Sequence, residues 1–547
     1  MKSFLSILFL CLVSITAFAQ RDHREGEKDA QLIPGLGAQH HKVSTDNAEA
    51  QKFFDQGLLL VYAFNHEEAA RSFQQAAKLD PQLAMAHWGV ALAVGPNYNL
   101  DVDPDREKIA YEAIQKALSI ANQPGVKITP QERAYIDAMS KRYSNDPKPD
   151  FKKLALDYKI AMGELHKKYP DDNDAATLYA DSMMNLKPWQ LWTPDGKPAE
   201  GTLEIVAVLE SVLKKDPKHI GAIHFYIHAV EASPNPERAL AYAPMLPKLT
   251  PAAGHLVHMP AHIYMRTGDY DAAADSNIDA AKADEAYIKS SGAQGIYPMM
   301  YYSHNLDFLR AARAMEGRYK DAMDAEERLV ANISPMIKEM PMVEVMLSTK
   351  VLLQIRFNKW DDILKLPEPD KSLVVSNVYW HYARGRAFAA TGKTDEADAE
   401  LAAFQSIVKT LPADLPGGNN PESAILNIAD LVLRGKIAQA KHDTKTAVDL
   451  YTKAIAAEDA LVYDEPPPWS SPTRESLAAL YYLTGDFAAA EKTFKEELSK
   501  HPHNGRALFG LAESLKAQHK KVAAAAAQKE FETAWKNADT KLRMEDL

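Results

Sequence analysis

Three observations predict an all-α chain built from stacked helical hairpins. Small residues that open a helix recur at a fixed interval: Ala239 and Ala273 each begin a second helix after a short turn, and they stand 34 residues apart. That interval is the period of a helical-hairpin repeat. Apolar residues recur at three- and four-residue spacing, and no alternating apolar–polar run of useful length appears, so helix should dominate and sheet should be nearly absent. The same grammar of small residues, an aromatic and a proline recurs in phase in further units, as at Gly392 and Ala397 and at Gly485, Ala490, Phe494 and Pro502.

Taken in order, the chain opens with Met1-Lys2 and an apolar stretch from residue 4 to 18 that ends in Ala17-Phe18-Ala19. This reads as a secretory signal over residues 1–19 with a small-residue cleavage site. Residues 20–45 are polar and aperiodic, the pattern of a flexible leader. Hairpin grammar then begins with Gly57, Ala69, Phe73, Ala76 and the stop at Asp80-Pro81. It returns at Gly385, Gly392, Ala397 and Leu401, again at Ala478, Gly485, Ala490, Phe494 and Pro502, and 34 residues further on at Ala512 and Ala524.

On these residues the chain resembles the tetratricopeptide repeat (TPR) family from about Ala48 to Trp535, with several units in phase. The resemblance implies a right-handed superhelical solenoid. Each hairpin cannot bury its own apolar face, so neighbours must stack. A single solenoid then fits better than the three or four domains that length alone suggests. Residues 46–411 form its main body and carry the site; a softer joint falls at 412–421; residues 422–547 supply the last units and a capping helix. The chain is also similar to a set of secreted bacterial repeat proteins with an HMPxHI segment, here residues 258–263, and a late YDEPPPW segment, here residues 463–469. That set implies no activity.

Six of the 18 histidines lie between positions 224 and 304, and their spacing points to a site. His224, His228 and Glu231 share one face of a predicted helix, His255, His258 and His262 a face of the next, and His304 and Asp307 open a third. The resemblance implies that first helices line a concave surface through fixed positions. Counting in that register sets Thr177, His224, His258 and Asp307 in one row and Asp181, His228 and His262 in another. Neutral imidazole is a common ligand of zinc, iron and copper, so His228, His262, His224, His258 and Asp181 are candidate metal ligands, with Glu231 or Asp181 as proton shuttles. The competing reading is a groove whose histidines hydrogen-bond a peptide, a partner segment or a small ligand without metal. Two functions follow: an exported binding scaffold whose histidine-rich groove is or is not metal-loaded, or a metal-dependent hydrolase or oxygenase using the same residues. The first histidine is not followed by the glutamate that a zincin helix needs.

Other features narrow the class. The lone cysteine, Cys11, lies within the apolar leader, which leaves the exported chain without disulfide or thiol chemistry. With net charge −11 and no basic stripe, nucleic acid is not an expected partner. No later apolar run reaches the roughly 20 residues that span a bilayer. No phosphate-binding glycine loop or nucleophile-elbow serine is present. Residues 463–469 read as a stiff connector whose Trp469 packs on the solenoid, with a lid over the groove as the alternative, and Trp189 and Trp192 should lie near one end of the site.

Overall fold

The computed structural model describes residues 29–547 apart from positions 102, 338 and 339. The stretch read as a signal, and residues 20–28 of the leader, lie outside the described residues. The fold is all-α, with about 68% of the described residues in helix. Strand among the described residues amounts to one antiparallel couple, β1 (Pro416–Gly417) with β2 (Asn420–Pro421), and two isolated bridges. The chain divides into two compact units: residues up to Ile263 with Asp279–Tyr302, and Tyr264–Ile278 with Ser303–Leu547.

In the first unit α1 (Ala48–Tyr62) and α2 (His66–Leu79) form a hairpin, followed by α3 (Ala84–Val94) with α4 (Pro104–Ala121), α5 (Pro130–Met139) with α6 (Phe151–Lys168), and α7 (Asn173–Met184) with α8 (Thr202–Lys215). Then come α9 (Ile220–Val230) and the short α10 (Gly254–His258). Helices α11 (Pro260–Thr267) and α12 (Tyr270–Ser291) contribute residues to both units. Local chemistry sets the starts. Asn47 accepts from the Glu49 and Ala50 amides, Asp103 caps α4 ahead of Pro104, Thr129 and Glu132 form a capping box, and Asp172 accepts from the Ala175 amide. Small residues recur where helices meet closely. The Phe73 ring is wedged between α1 and α3, so that a Cβ at Gly57 would come within 2.7 Å of it and one at Gly89 within 2.3 Å.

First helices pack on first helices: α1 on α3, α3 on α5, α7 on α9, and α9 returns onto α1. Their inner faces carry Phe54, Tyr62, Trp88 and Tyr135, all essentially buried, because large rings gain most by covering one another. The histidine face, expected to line an open groove, therefore lies inside the unit. His224, His228, His255, His258 and His262 are each no more than 2% exposed.

Residues 29–45, expected as a flexible leader, run along the first unit as a strap. Gln56 ties it by accepting from the Ile33 amide and donating to the Gln31 carbonyl, Ala252 donates to the Gly35 carbonyl, and Glu132 accepts from Ser44. A segment with this many satisfied backbone groups loses the freedom its polar composition suggested.

The second unit repeats the hairpin: α13 (Ser303–Met315) with α14 (Tyr319–Ile333), α15 (Thr349–Arg356) with α16 (Trp360–Lys365), α17 (Val374–Ala390) with α18 (Thr394–Val408), α19 (Glu422–Ala440) with α20 (Thr444–Asp459), α21 (Thr473–Leu483) with α22 (Phe487–Lys500), and α23 (Gly505–Ala517) with α24 (Lys521–Ala534). The joint at 412–421 is a tight β1–β2 turn pinned to the YDEPPPW segment, where Asp464 accepts from the Asn419 amide and Asn420 bonds the Val462 backbone. Trp469 is buried against Tyr382, ring centroids 6.1 Å apart.

Eight hairpins share one turn geometry. The residue two places before the second helix takes a left-handed backbone, as Gly268, Gly317, Gly392 and Gly485 in four cases and as Phe64, Asn358, His442 and His519 in the others.

Candidate metal centre

Five imidazoles and one carboxylate meet where α9, α10 and the start of α11 pack against the end of α1. His228 Nδ1 lies 2.7 Å from Glu231 Oε1, and His262 Nδ1 lies 2.5 Å from Glu231 Oε2. His224 Nδ1 lies 2.5 Å from the Tyr62 carbonyl oxygen. Across the cluster His224 Nε2 and His255 Nε2 are 3.1 Å apart, and His258 Nε2 and His262 Nε2 are 2.8 Å apart. Ring centroids of His228 and His262 stand 5.5 Å apart, so the two residues placed in one row by sequence do share a neighbourhood.

The partners fix the protons. A carbonyl and an ionised carboxylate only accept, so Nδ1 of His224, His228 and His262 must each carry a hydrogen. In the neutral ring that leaves Nε2 as a lone pair. Burial holds His224 well below its ordinary pKa, and the His228 charge adds to it. Burial lowers His228 too, despite Glu231 beside it. For Glu231 burial alone would raise the carboxyl, but the charges and hydrogen bonds of His262 and His228 outweigh it and hold the group below the usual carboxylate range. The cluster thus holds a buried carboxylate that accepts N–H groups from His228 and His262, while His224 and His255, like His258 and His262, share a hydrogen bond between Nε2 atoms. His228 Nε2 makes no hydrogen bond among the described residues. One ring nitrogen from each of His224, His228 and His255 lies within 4.8 Å of the others.

Aromatic rings wall the cluster. Phe64 lies 4.5 Å from His224, 5.8 Å from His228 and 5.3 Å from His255 between centroids, Tyr301 lies 4.9 Å from His255, and Tyr98 and Trp189 lie 5.2 and 5.6 Å from His228. Trp189 is thus at one end of the site, as its place in the chain suggested. Trp192 donates to the Ala229 carbonyl at 2.8 Å, fixing the end of α9. Phe225, Tyr226 and Ile227 are buried on the other faces of α9, with Tyr226 donating to Glu210.

Of the remaining sequence candidates, Asp181, Thr177 and Asp307 have other partners. Asp181 accepts from Asn185 Nδ2 at 3.2 Å and is pushed up to about 6 by burial, against the Arg142 charge; its surroundings are these groups, with the carboxylate at the imidazoles being Glu231. Both oxygens of Glu231 are engaged, so it holds rings in place. Thr177 bonds its own helix through the Asn173 carbonyl. His304 and Asp307 lie on α13 of the second unit, where His304 meets the Phe308 ring and Asp307 pairs with Arg310 at 2.5 Å. His255 stands opposite His224, the place that the register gave to His258.

Behind the cluster a second network supports Tyr62. Its hydroxyl donates to Asp174 at 2.7 Å, and Asp174 also meets His41 Nδ1 at 2.8 Å, His219 Nε2 at 3.2 Å and Gln39 Nε2 at 3.1 Å. The strap is therefore joined through Asp174 and Tyr62 to His224. Sequence reasoning did not single out Tyr62 or Phe64. The one available signal was a bulky aromatic at a turn position where other hairpins carry glycine.

Comparison with known proteins bears on the repeat. A tetratricopeptide-repeat family model matches residues 54–94 and 476–539. No curated protein matches the sequence. Among solved structures the chain is similar to the APC/C hetero-tetramer Cut9–Hcn1, at 13% identity over 90% of this chain and 75% of that one with a TM-score of 0.30. It is similar to human IFIT1 as a dimer with m7Gppp-AAAA, at 13% identity over 90% and 91% with a TM-score of 0.34. The IFIT1 dimer with PPP-AAAA gives 14% identity over 90% and 97% with the same score. At these values the solved structures bear on neither ligand nor activity. The family-model matches, in both halves of the chain, support a tetratricopeptide-repeat assignment.

Proposed function

We propose that this chain is an exported repeat scaffold that engages a peptide, a protein segment or a small ligand, and whose first unit carries a transition-metal ion on the imidazoles of His224, His228 and His255. The repeat architecture supports the scaffold, and the apolar amino-terminal stretch supports export. No helix among the described residues is long and apolar enough to cross a membrane. The type resembles the secreted bacterial repeat proteins that share the HMPxHI and YDEPPPW segments.

The observation that carries the metal reading is the fixed tautomer. His224 and His228 each spend Nδ1–H on an acceptor behind the ring, a carbonyl for one and Glu231 for the other. Metal-ligating histidines are held this way, their outer nitrogen donating to a carboxylate or backbone carbonyl. An all-nitrogen donor set suits zinc, copper or iron better than magnesium or calcium, which take oxygen. A bound dication would also offset the charge of the buried Glu231 carboxylate, which is costly to bury uncompensated. Three nitrogens leave a tetrahedral ion one further position, the arrangement of catalytic rather than closed structural zinc. An enzymatic role depends on that position.

Cobalt(II) titration of metal-stripped, tag-free protein tests the proposal. The account expects saturable uptake with visible absorption of a four-coordinate nitrogen site, lost when His224 and His228 are replaced by alanine. Uptake that those replacements leave unchanged would place the metal elsewhere and end the reading.

A further inference from the structure

Phe64 stands where the fold asks for a residue that tolerates a left-handed backbone. Its φ is 55°, and at the same turn position other hairpins carry Gly268, Gly317, Gly392 and Gly485, or Asn358, His442 and His519. Glycine enters this region freely, and asparagine and histidine are enriched there among other residues; a bulky apolar side chain is an outlier. Strain of this kind persists where the surroundings over-determine it, and it gathers at functional sites. The surroundings here are the imidazole cluster. The Phe64 ring is 2% exposed; it lies nearly parallel to His228 at 12° and to His255 at 20°, with His224 at 4.5 Å. Two residues earlier, the Tyr62 carbonyl receives His224 Nδ1. One turn at the end of α1 therefore delivers both a hydrogen-bond acceptor and a flat plate to rings that lie more than 150 residues further along the chain.

We infer that Phe64 is a positioning residue of the imidazole cluster, a plate that fixes the planes of His228 and His255 and keeps water off the ion they hold. This rests on the metal reading of the cluster. The physical basis is packing: an imidazole can turn about its Cβ–Cγ bond, and a ring lying nearly parallel beside it, with centroids 5.8 Å from His228 and 5.3 Å from His255, opposes that turn. For His228 the hydrogen bond to Glu231 opposes the same motion from the other side. A dry wall also slows entry of water and chelator to the ion. An ordinary core aromatic would serve packing alone, and its loss would lower stability without altering the coordination.

The test compares full-length wild type with Phe64→Leu, Phe64→Gly and Phe64→Tyr, each loaded with cobalt(II). Leucine keeps apolar bulk without a flat face, glycine removes the ring while relieving the backbone, and tyrosine keeps the plate. Helicity by circular dichroism confirms that each is folded. The expected result is metal release to a chelator about 10- to 100-fold faster in the leucine and glycine variants, the range seen when groups behind metal ligands are altered. Their absorption should weaken toward that of a water-bearing, higher-coordinate ion, and the tyrosine variant should stay near wild type. Leucine and glycine variants with the wild-type spectrum and release rate would overturn the inference while leaving the metal site standing. A wild type that takes up no cobalt would overturn the metal reading itself, and this inference with it.

Discussion

Replacing Glu231 with glutamine changes one atom type at the centre of the cluster and keeps the shape. In the native chain two N–H groups, from His228 and His262, point at the two carboxylate oxygens at 2.7 and 2.5 Å. An amide presents one acceptor and one NH2 group. The NH2 must then face an imidazole N–H, donor against donor. The least costly relief moves that ring's proton to Nε2, which removes an inward lone pair. If the affected ring is His228, a metal ligand is lost outright; if it is His262, the ring network behind the site is disturbed. Changes of this kind behind metal ligands weaken binding about 10- to 100-fold, or roughly 1.4–2.7 kcal/mol. The metal-free protein should also lose stability, since a charge-assisted hydrogen bond contributes about 1.5–3 kcal/mol. Competition for zinc against a chromophoric chelator reads the first effect, and urea unfolding of the stripped protein reads the second. A Glu231→Gln chain that holds zinc as tightly as wild type would refute the tautomer argument.

Three further outcomes follow from the packing and electrostatics. Gly89→Ala should lower the unfolding midpoint, because the added Cβ would meet the buried Phe73 ring at 2.3 Å, and overpacking of roughly 1–3 kcal/mol exceeds the helix-propensity gain of about 1 kcal/mol; a more stable variant would show that Phe73 can yield. Ala273, fully buried on α12, should behave likewise as Ala273→Leu, at a cost of about 1–3 kcal/mol, and an unchanged melting temperature would show the repeat register to be wrong. The strap network should give a pH signature. Burial acts to raise Asp174, but hydrogen bonds from His219 and His41 prevail and hold it below its ordinary value of 3.8, while burial acts to lower His41 and its bond to Asp174 prevails, raising it above 6.5. The depressed Asp174 stabilises the fold above pH 3.8, a contribution lost on acidification through its folded value; the raised His41 stabilises below pH 6.5, a contribution lost as pH rises through its folded value. Both are complete between those two values, so the stability gap between wild type and Asp174→Asn should be widest there, and a gap that does not vary with pH would remove the pair from the account.

The hairpins were legible because their signals are local. Small residues at close-packed positions, capping side chains and turn glycines each act within a few residues. The imidazoles were legible for the same reason, three or four residues apart on one helical face. Their pairing was not. Counting straight through Met259 and Pro260 set His258 opposite His224, whereas Pro260 has no N–H to continue the ladder, and the helix breaks into α10 and α11 there. The break leaves His255 against His224. The roles of Tyr62, Phe64 and Glu231 depend on α9 returning to α1, a contact spanning 162 positions between Tyr62 and His224; no local pattern carries that closure. For residues 29–45 the composition misled, since this stretch finds partners in Gln56, Asp174 and Glu132, which a sequence window does not contain.

Elemental analysis of tag-free protein, before and after chelation, tests the central claim most directly when set beside the same measurement on a His224→Ala, His228→Ala, His255→Ala chain. The account predicts close to one equivalent of zinc, copper or iron in wild type, removable by chelator, and none in the triple variant. Wild-type protein that is metal-free as isolated and still takes up no zinc, copper or iron on reconstitution, or a triple variant that retains a full equivalent, would contradict it.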